Sequence, residues 1–369
     1  MGTNILLPLF FLTAISLWRV DCNNDTSDAR IDDKNNRTSI SDEVLVYLRS
    51  PWLTKFIPLV LTVVFVLSLP LNITAIVIFL FRIQVKTPAV VFMLNLAVVD
   101  VFLVILLPFE IIYRFSGNNW VIGEGMCRFV TVAFYCNMHC SIWLVTGISV
   151  DRFLAVVYPM RSLLWRTVSR AWQVCLLIWM VSIAGAVPLP ISKLTFHIDQ
   201  LNITVCYDTL GHKDFEGFYF YYFAAYISIS FILPLIITTL CYAATIRSLS
   251  SPKIESTFKK CRSVFLCVTV LFEFIICFGP INIFFLLHYL NMDKPFGDTM
   301  YFAYIISVTV SSISCCLDPV IYYFGSSKCM KYIYSLVCCG KTKADHKQTD
   351  SSSKKQVGRR LPLLCRAGI

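Results

Sequence analysis

The sequence predicts an all-α membrane protein: a seven-transmembrane helix bundle with a short amphipathic eighth helix. Three observations predict it. Of the 369 residues, 57% are hydrophobic and only 15% charged, and the mean hydropathy of +0.70 lies far above that of a soluble globular domain. Seven apolar stretches follow the N-terminal segment, each long enough at about 20 residues to cross a ~30 Å hydrocarbon core. The basic residues cluster on alternate loops: 21 of the 32 Lys and Arg lie after spans one, three and five and in the C-terminal tail, beside only Asp151, Glu255, Asp345 and Asp350. By the positive-inside rule those regions face the cytosol, which puts the N-terminus outside and the C-terminus inside. Composition excludes a soluble enzyme, and the runs exclude a β-barrel, whose strands need only about 10 alternating residues. The net charge of +10 belongs to the cytosolic loops rather than to a nucleic-acid surface, so no nucleic-acid partner is expected.

Each segment follows in order. Residues 1–22 read as a secretory signal, because the apolar core from Asn4 to Leu17 is too short to span and Val20-Asp21-Cys22 offers small residues to signal peptidase. Residues 23–53 form an extracellular segment with glycosylation sequons at Asn24 and Asn36; a third, at Asn202, also falls on the outer face. The sequon at Asn72 lies inside span one and is out of reach of glycosylation. The seven-span domain covers 54–324, with spans at 54–82, 88–114, 125–157, 170–191, 218–248, 259–290 and 299–324. Residues 325–339 hold the amphipathic stretch Ser326 to Val337 followed by Cys338 and Cys339, placed for palmitoylation and a second hold on membrane lipid. The tail 340–369 is polar and basic, with Thr349 and Ser351 to Ser353, and reads as disordered.

Cysteine usage follows the same sidedness. Of the 16 Cys, most lie within spans or at the reducing inner face. Cys127, at the outer end of span three, and Cys206, in the second outer loop, are the two well placed to pair. Their bridge would pin that long loop over the mouth of the bundle.

Ionisable and strongly polar residues are costly in hydrocarbon, so those inside spans turn to the bundle interior. They are Asn72, Asp100, Asn137, Ser141, Glu273 and Asp318. Asn137 and Ser141, four apart, share one face of span three and are expected to look at Asp100 and Asp318. Two carboxylates there either share a proton or hold a small cation, with neutral oxygens from Asn137 and Ser141; a sodium ion on Asp100, Ser141 and Asp318 is the metal reading. An ion-coupled transporter is the rival, disfavoured because no internal repeat relates two halves of the chain. Pro70, Pro108, Pro188, Pro190, Pro234, Pro280 and Pro319 remove backbone donors in or near the spans. Phe274, Cys277 and Phe278 occupy the turns before Pro280, where an inner half-helix of span six would pivot.

Leu94-Asn-Leu-Ala-Val-Val-Asp100, Asp151-Arg-Phe153, Trp179, Pro234 with Tyr242, Phe274 to Pro280, and Asp318-Pro-Val-Ile-Tyr322 occur in the order and on the spans of the rhodopsin-like (class A) G-protein-coupled receptors, which the chain resembles from about 50 to 340. Val85-Lys-Thr-Pro-Ala-Val-Val, Phe134-Tyr-Cys-Asn-Met, Asp151 through Met160, and Val310 through Pro319 are most similar to the protease-activated receptors, in particular their thrombin-receptor branch. Cys206-Tyr-Asp-Thr-Leu210 and Phe278 fit that branch too. An amine receptor would need a carboxylate where Phe134 stands, and a nucleotide receptor basic residues where Asn282 and Phe285 stand.

The resemblance implies a non-enzymatic plasma-membrane receptor. An extracellular trypsin-like serine protease would cut the N-terminal segment, and the new N-terminus would fold back as a tethered peptide ligand. Span six would then swing outward to admit a heterotrimeric G protein feeding calcium and phosphoinositide pathways, with arrestin on the phosphorylated tail. Carried over residue by residue, the pocket would include Tyr135, Asp208, Leu210, Phe223, His288, Tyr289 and Tyr304. The switch would include Asn72, Phe274, Phe278, Pro280, Asp318 and Tyr322, and G-protein coupling Asp151, Arg152 and Tyr242. At rest Arg152 is expected to pair with Asp151, and Lys260 stands where many family members carry an acid for this arginine. Glu273 is unexpected for the branch. Among basic sites in the N-terminal segment, Arg37 is the first choice for cleavage, exposing Thr38-Ser-Ile-Ser on a leash of about 17 residues, which at ~3.3–3.6 Å per residue reaches back with ease. Arg30 is the second choice, although its Ile31-Asp-Asp-Lys product would meet Asp208, Asp214 and Glu216 unfavourably. A same-fold receptor for a diffusible peptide, or an uncleaved partner of a cleavable relative, are the alternatives.

Overall fold

The computed structural model describes residues 42–186, 194–206, 225–249, 257–290 and 297–325. Among them, seven helices are long and apolar enough to cross a membrane: Trp52–Ile83, Pro88–Phe115, Glu124–Val157, Val168–Ala186, Ala225–Leu249, Arg262–Leu287 and Phe302–Tyr323. The chain is a multi-pass membrane protein. The signal segment, the sequons at Asn24 and Asn36, the cleavage candidates Arg30 and Arg37, the amphipathic stretch and Cys338 and Cys339 lie outside the described residues. So do Pro188 and Pro190, and the described helix of span four ends at Ala186.

Burial divides each span as its composition requires. Span one leaves Leu59, Val63, Val66 and Leu67 exposed as an aliphatic lipid face, while Leu61, Val64, Ser68 and Asn72 turn inward. Span two is buried throughout its inner half, from Ala89 to Ala97, because it packs against spans one, three and four. Polar side chains join neighbours: Trp179 donates its indole N–H to Asn95 at 3.3 Å, and Thr238 donates to Thr146 at 3.2 Å.

The prolines act through the carbonyl four residues earlier, which loses its helical donor. At Pro58, Pro234 and Pro280 the helix widens just before the ring, into π turns at Trp52–Phe56, Ser228–Ile232 and Glu273–Phe278. The residue preceding the ring then reaches five back: Ile57 N–H donates to the Trp52 carbonyl, and Gly279 N–H to that of Phe274. The pivot expected as a simple kink at Pro280 is thus a π turn carrying Glu273, Phe274 and Phe278. Span seven solves the same problem differently. Its helices Gly297–Ser312 and Ser314–Gly325 meet at tight turns, Ile313 N–H to Val310 and Cys316 N–H to Ile313, and the Cys315 carbonyl orphaned by Pro319 is served from span one.

The end of the bundle where span one begins, the outer end in the expected orientation, carries a helix, α1 (Asp42–Arg49), and a two-stranded antiparallel hairpin, β1 (Thr195–Ile198) with β2 (Ile203–Cys206), in which Thr195 faces Cys206. Asn202 sits exposed in its turn with φ of 50°, a left-handed conformation that Asn tolerates.

Candidate functional site

The disulfide between Cys127 and Cys206 spans 79 residues and ties β2 to the outer end of span three. Glu124, one turn before Cys127, accepts the Leu194 and Thr195 backbone N–H groups at 2.8 and 2.9 Å, takes the Thr195 hydroxyl as well, and pairs with Arg128 at 2.8 Å. The Thr204 carbonyl accepts the Trp120 N–H, and Tyr113, Trp120, Cys127 and Leu194 pack beneath the strands. Both strands of the hairpin are therefore held at its open end, where Thr195 faces Cys206. The sequence pointed to the bridge but not to Glu124, which reads as one acid of an i,i+4 helix pair.

Beneath it lies a small cavity of about 90 Å³ between spans one, two, three and seven, lined by Phe134, Tyr135, Glu110, Arg114, Cys206 and Tyr304 among others. Tyr135 and Tyr304, two of the expected pocket residues, meet hydroxyl to hydroxyl. Phe285 packs against both rings, at centroid distances of 6.2 and 5.8 Å. Deeper in, His139 is buried and meets the Tyr226 ring edge-on at 4.5 Å. Glu110 pairs with Arg114 at 2.8 Å, and Arg114 donates to Asn118 at 2.9 Å. Asp208, Leu210 and Phe223 lie outside the described residues; His288 and Tyr289 fall on the helix Gly279–Leu290. His139 was missed although a histidine in an apolar span is itself a signal; the facing of Glu110 has no one-dimensional signature.

The polar interior sits midway along the bundle. Asn72 donates its amide to the Ser68 carbonyl at 3.1 Å and the Cys315 carbonyl at 2.9 Å. The Tyr322 hydroxyl lies 3.3 Å from Asn72 Oδ1 and 3.2 Å from Asp100 Oδ2 and shares its one proton between these two acceptors. Asn137 donates to the Val99 carbonyl at 3.1 Å, so its amide holds span two rather than only facing the acids. Asp100, Asp318 and Glu273 are wholly buried, and Asp318 neighbours both other carboxylates. Among the described residues, Asp100 Oδ1 and Ser141 Oγ have no hydrogen-bond partner, and the Asp318 and Glu273 carboxyls meet no donor other than a neighbouring carboxyl. Unpartnered buried carboxylates require protons or a cation to balance them. Among the described residues no three His, Cys, Asp or Glu side chains form a metal cage, so a cation here would draw on neutral oxygens such as Ser141 Oγ. The orphaned oxygens fit a hard monovalent ion.

At the inner end the expected pairing of Arg152 is corrected. Asp151 accepts two bonds from Arg166, at 2.8 and 2.9 Å, in a fork-to-fork ion pair. Arg166 follows the short helix Arg161–Leu164 in the second inner loop, and its guanidinium matches both carboxylate oxygens at once. Arg152 has its Nε buried and without a hydrogen-bond partner among the described residues. Tyr242, the other expected coupling residue, is buried and accepts the Ser149 hydroxyl at 2.7 Å. Phe274 and Phe278 are fully buried and meet edge to face at 6.0 Å, with Phe231 stacked on Phe274 at 6.4 Å.

Comparison with known proteins agrees with this architecture. The family described as 7 transmembrane receptor (rhodopsin family) matches residues 71–322. The chain is 57% identical over 305 residues to Proteinase-activated receptor 1 of Xenopus laevis, covering 83% of this chain and 72% of that protein. It is 52% identical to Proteinase-activated receptor 1 of Homo sapiens, covering 85% and 74%. A purinoceptor of Gallus gallus is more distant, 34% identical over 79% of this chain and 83% of its own.

Proposed function

Because the chain belongs to the rhodopsin family of seven-transmembrane receptors, and within it to the proteinase-activated receptors, we propose that it is a plasma-membrane receptor switched on by extracellular proteolysis. Its N-terminus lies outside. A trypsin-like serine protease cuts after Arg37, and the freed segment folds back onto the outer cavity. The observation that carries this reading is the clamped hairpin above a small aromatic cavity: a floor of Tyr135 and Tyr304 under a roof fixed by Cys127, Cys206 and Glu124. A cavity of about 90 Å³ suits the tip of a peptide rather than a large ligand. Tethering makes the encounter intramolecular, so a short peptide of modest affinity saturates the site.

Binding at the outer cavity bears on Tyr135 and Tyr304, hence on spans three and seven. Those spans carry Ser141 and Asp318 toward the polar interior, and Phe274 and Phe278 stand beside it on the π turn of span six. A π turn is a stretch in which the helix is already loosened, and it is where span six opens. Arg152, unpaired to Asp151 at rest, is available to a heterotrimeric G protein, and calcium and phosphoinositide signalling follow; arrestin engages the phosphorylated tail. Sodium held by Asp100, Ser141 and Asp318 would supply the positive charge that these carboxylates lack.

The direct test is brief trypsin treatment of intact cells followed by sequencing of the receptor's new N-terminus. Thr38 is the expected first residue; an N-terminus that stays uncut while the cells remain responsive to added peptide would point to the diffusible-peptide reading.

A further inference from the structure

A second cleft lies far from the outer cavity, on the outside of the bundle toward its cytosolic end. It measures about 470 Å³ and is walled by spans two, three, four and five, within the size range of ligand sites, ~300–1,000 Å³. Gly147 forms part of its floor, where a Cβ would come within 2.8 Å of the Phe92 ring. Leu177 is 59% exposed and Val174 43% exposed along the wall of span four, so the cleft opens sideways, where the bilayer lies.

Its chemistry is divided end to end. The body is aliphatic and aromatic; the cytosolic end carries Arg166, Thr167 and Arg170 together with Asp151, whose carboxylate is taken up by Arg166, and Trp165 stands 69% exposed beside them. Among the described residues the Arg170 guanidinium uses Nη1, which donates to the Leu164 carbonyl at 3.2 Å and the Trp165 carbonyl at 3.5 Å. Its Nε and Nη2 have no bond among the described residues. Arg166 gives Nε and Nη2 to Asp151, and its Nη1 has no bond among the described residues. Forked donors at the end of an apolar cleft suit a phosphate-bearing headgroup, and the cytosolic leaflet is where anionic lipids are concentrated.

We propose that this cleft is a binding site for one anionic phospholipid of the inner leaflet, its acyl chain on Gly147 and Leu177 and its headgroup on Arg170 and Arg166. The occupant would share Arg166 with Asp151, which places lipid composition next to the G-protein face. A basic cytosolic loop alone would attract any anion; the juxtaposition of that charge with a chain-sized apolar cleft selects a lipid.

The test uses the full chain purified in phosphatidylcholine nanodiscs, with diazirine-bearing phosphatidylserine or phosphatidylcholine as probe and cross-linked peptides mapped by mass spectrometry. Phosphatidylserine is expected to label the cleft peptides of spans three and four several-fold more than phosphatidylcholine. Arg170→Gln is expected to abolish that preference and Arg170→Lys to keep part of it. Leu177→Trp, which fills the cleft from its exposed wall, is expected to lower labelling by both probes. Equal labelling of the wild-type cleft by the two probes, or a preference untouched by Arg170→Gln in a variant of unchanged thermal unfolding temperature, overturns the proposal.

Discussion

Asn72 of span one donates its amide to the carbonyl of Cys315 in span seven at 2.9 Å, the same carbonyl that Pro319 cannot serve. A proline four residues on leaves that acceptor unsatisfied in hydrocarbon, where no water can reach it. Asn72→Ala is therefore expected to lower the stability of the purified receptor by about 1–3 kcal/mol, the cost of leaving a buried acceptor without its donor. In a Pro319→Ala background the restored N–H can reach Cys315, and the same substitution should cost much less. Thermal unfolding of the four proteins in one detergent measures the difference; an equal cost in both backgrounds would contradict this role for Asn72.

The Asp151 and Arg166 pair makes a second prediction. Asp151 is 4% exposed and Arg166 20%, so breaking the pair strands a nearly buried carboxylate. Arg166→Gln should destabilise by about 1–3 kcal/mol, with partial rescue by Arg166→Lys, which keeps the charge but not the parallel bonds. Coupling with Asp151→Asn is expected in a double-mutant cycle. Strict additivity would mean that the two residues act apart.

Sodium and Glu273 can be separated. The unfolding midpoint should rise with sodium chloride relative to choline chloride at equal ionic strength, because a ligand of the folded state stabilises by mass action, and Asp100→Asn should flatten that response. Glu273→Gln removes one of three neighbouring buried carboxyls, so it should raise the midpoint in sodium-free buffer. Identical midpoints in the two salts would exclude a stabilising ion.

The grip of Glu124 on the hairpin is open to hydrogen exchange. Leu194 and Thr195 donate their amides to its carboxylate, and Glu124→Ala should speed exchange at both while leaving the Cys127–Cys206 bridge intact. Unchanged protection at those amides would show that the bridge and the Trp120–Thr204 bond hold the loop without Glu124.

The seven spans were legible because a long apolar run is a one-dimensional signal. Cys127 with Cys206, and the buried set Asn72, Asp100 and Asp318, were legible because cysteine outside and polarity inside are exceptional in such a chain. What escaped was contact between distant segments. Arg166 looked like one more cytosolic charge until its fork met Asp151, 15 residues earlier in sequence. Its expected place was given to Arg152, which is adjacent in sequence and therefore points elsewhere on the helix. Helix periodicity likewise could not reveal that the strain of Pro280 spreads into a π turn at Glu273–Phe278, nor that Phe92 and Gly147 shape a cleft toward the lipid.

Activation by a cut after Arg37 is tested most directly by intracellular calcium. Cells expressing the chain, matched for surface level, are exposed briefly to trypsin beside cells expressing Arg37→Ala and Arg30→Ala. The expected result is a calcium rise that Arg37→Ala abolishes and Arg30→Ala leaves intact, with a synthetic peptide beginning Thr-Ser-Ile-Ser restoring the response of the Arg37→Ala receptor. A well-expressed receptor that stays silent to trypsin, or one whose response survives Arg37→Ala, would contradict activation at this site.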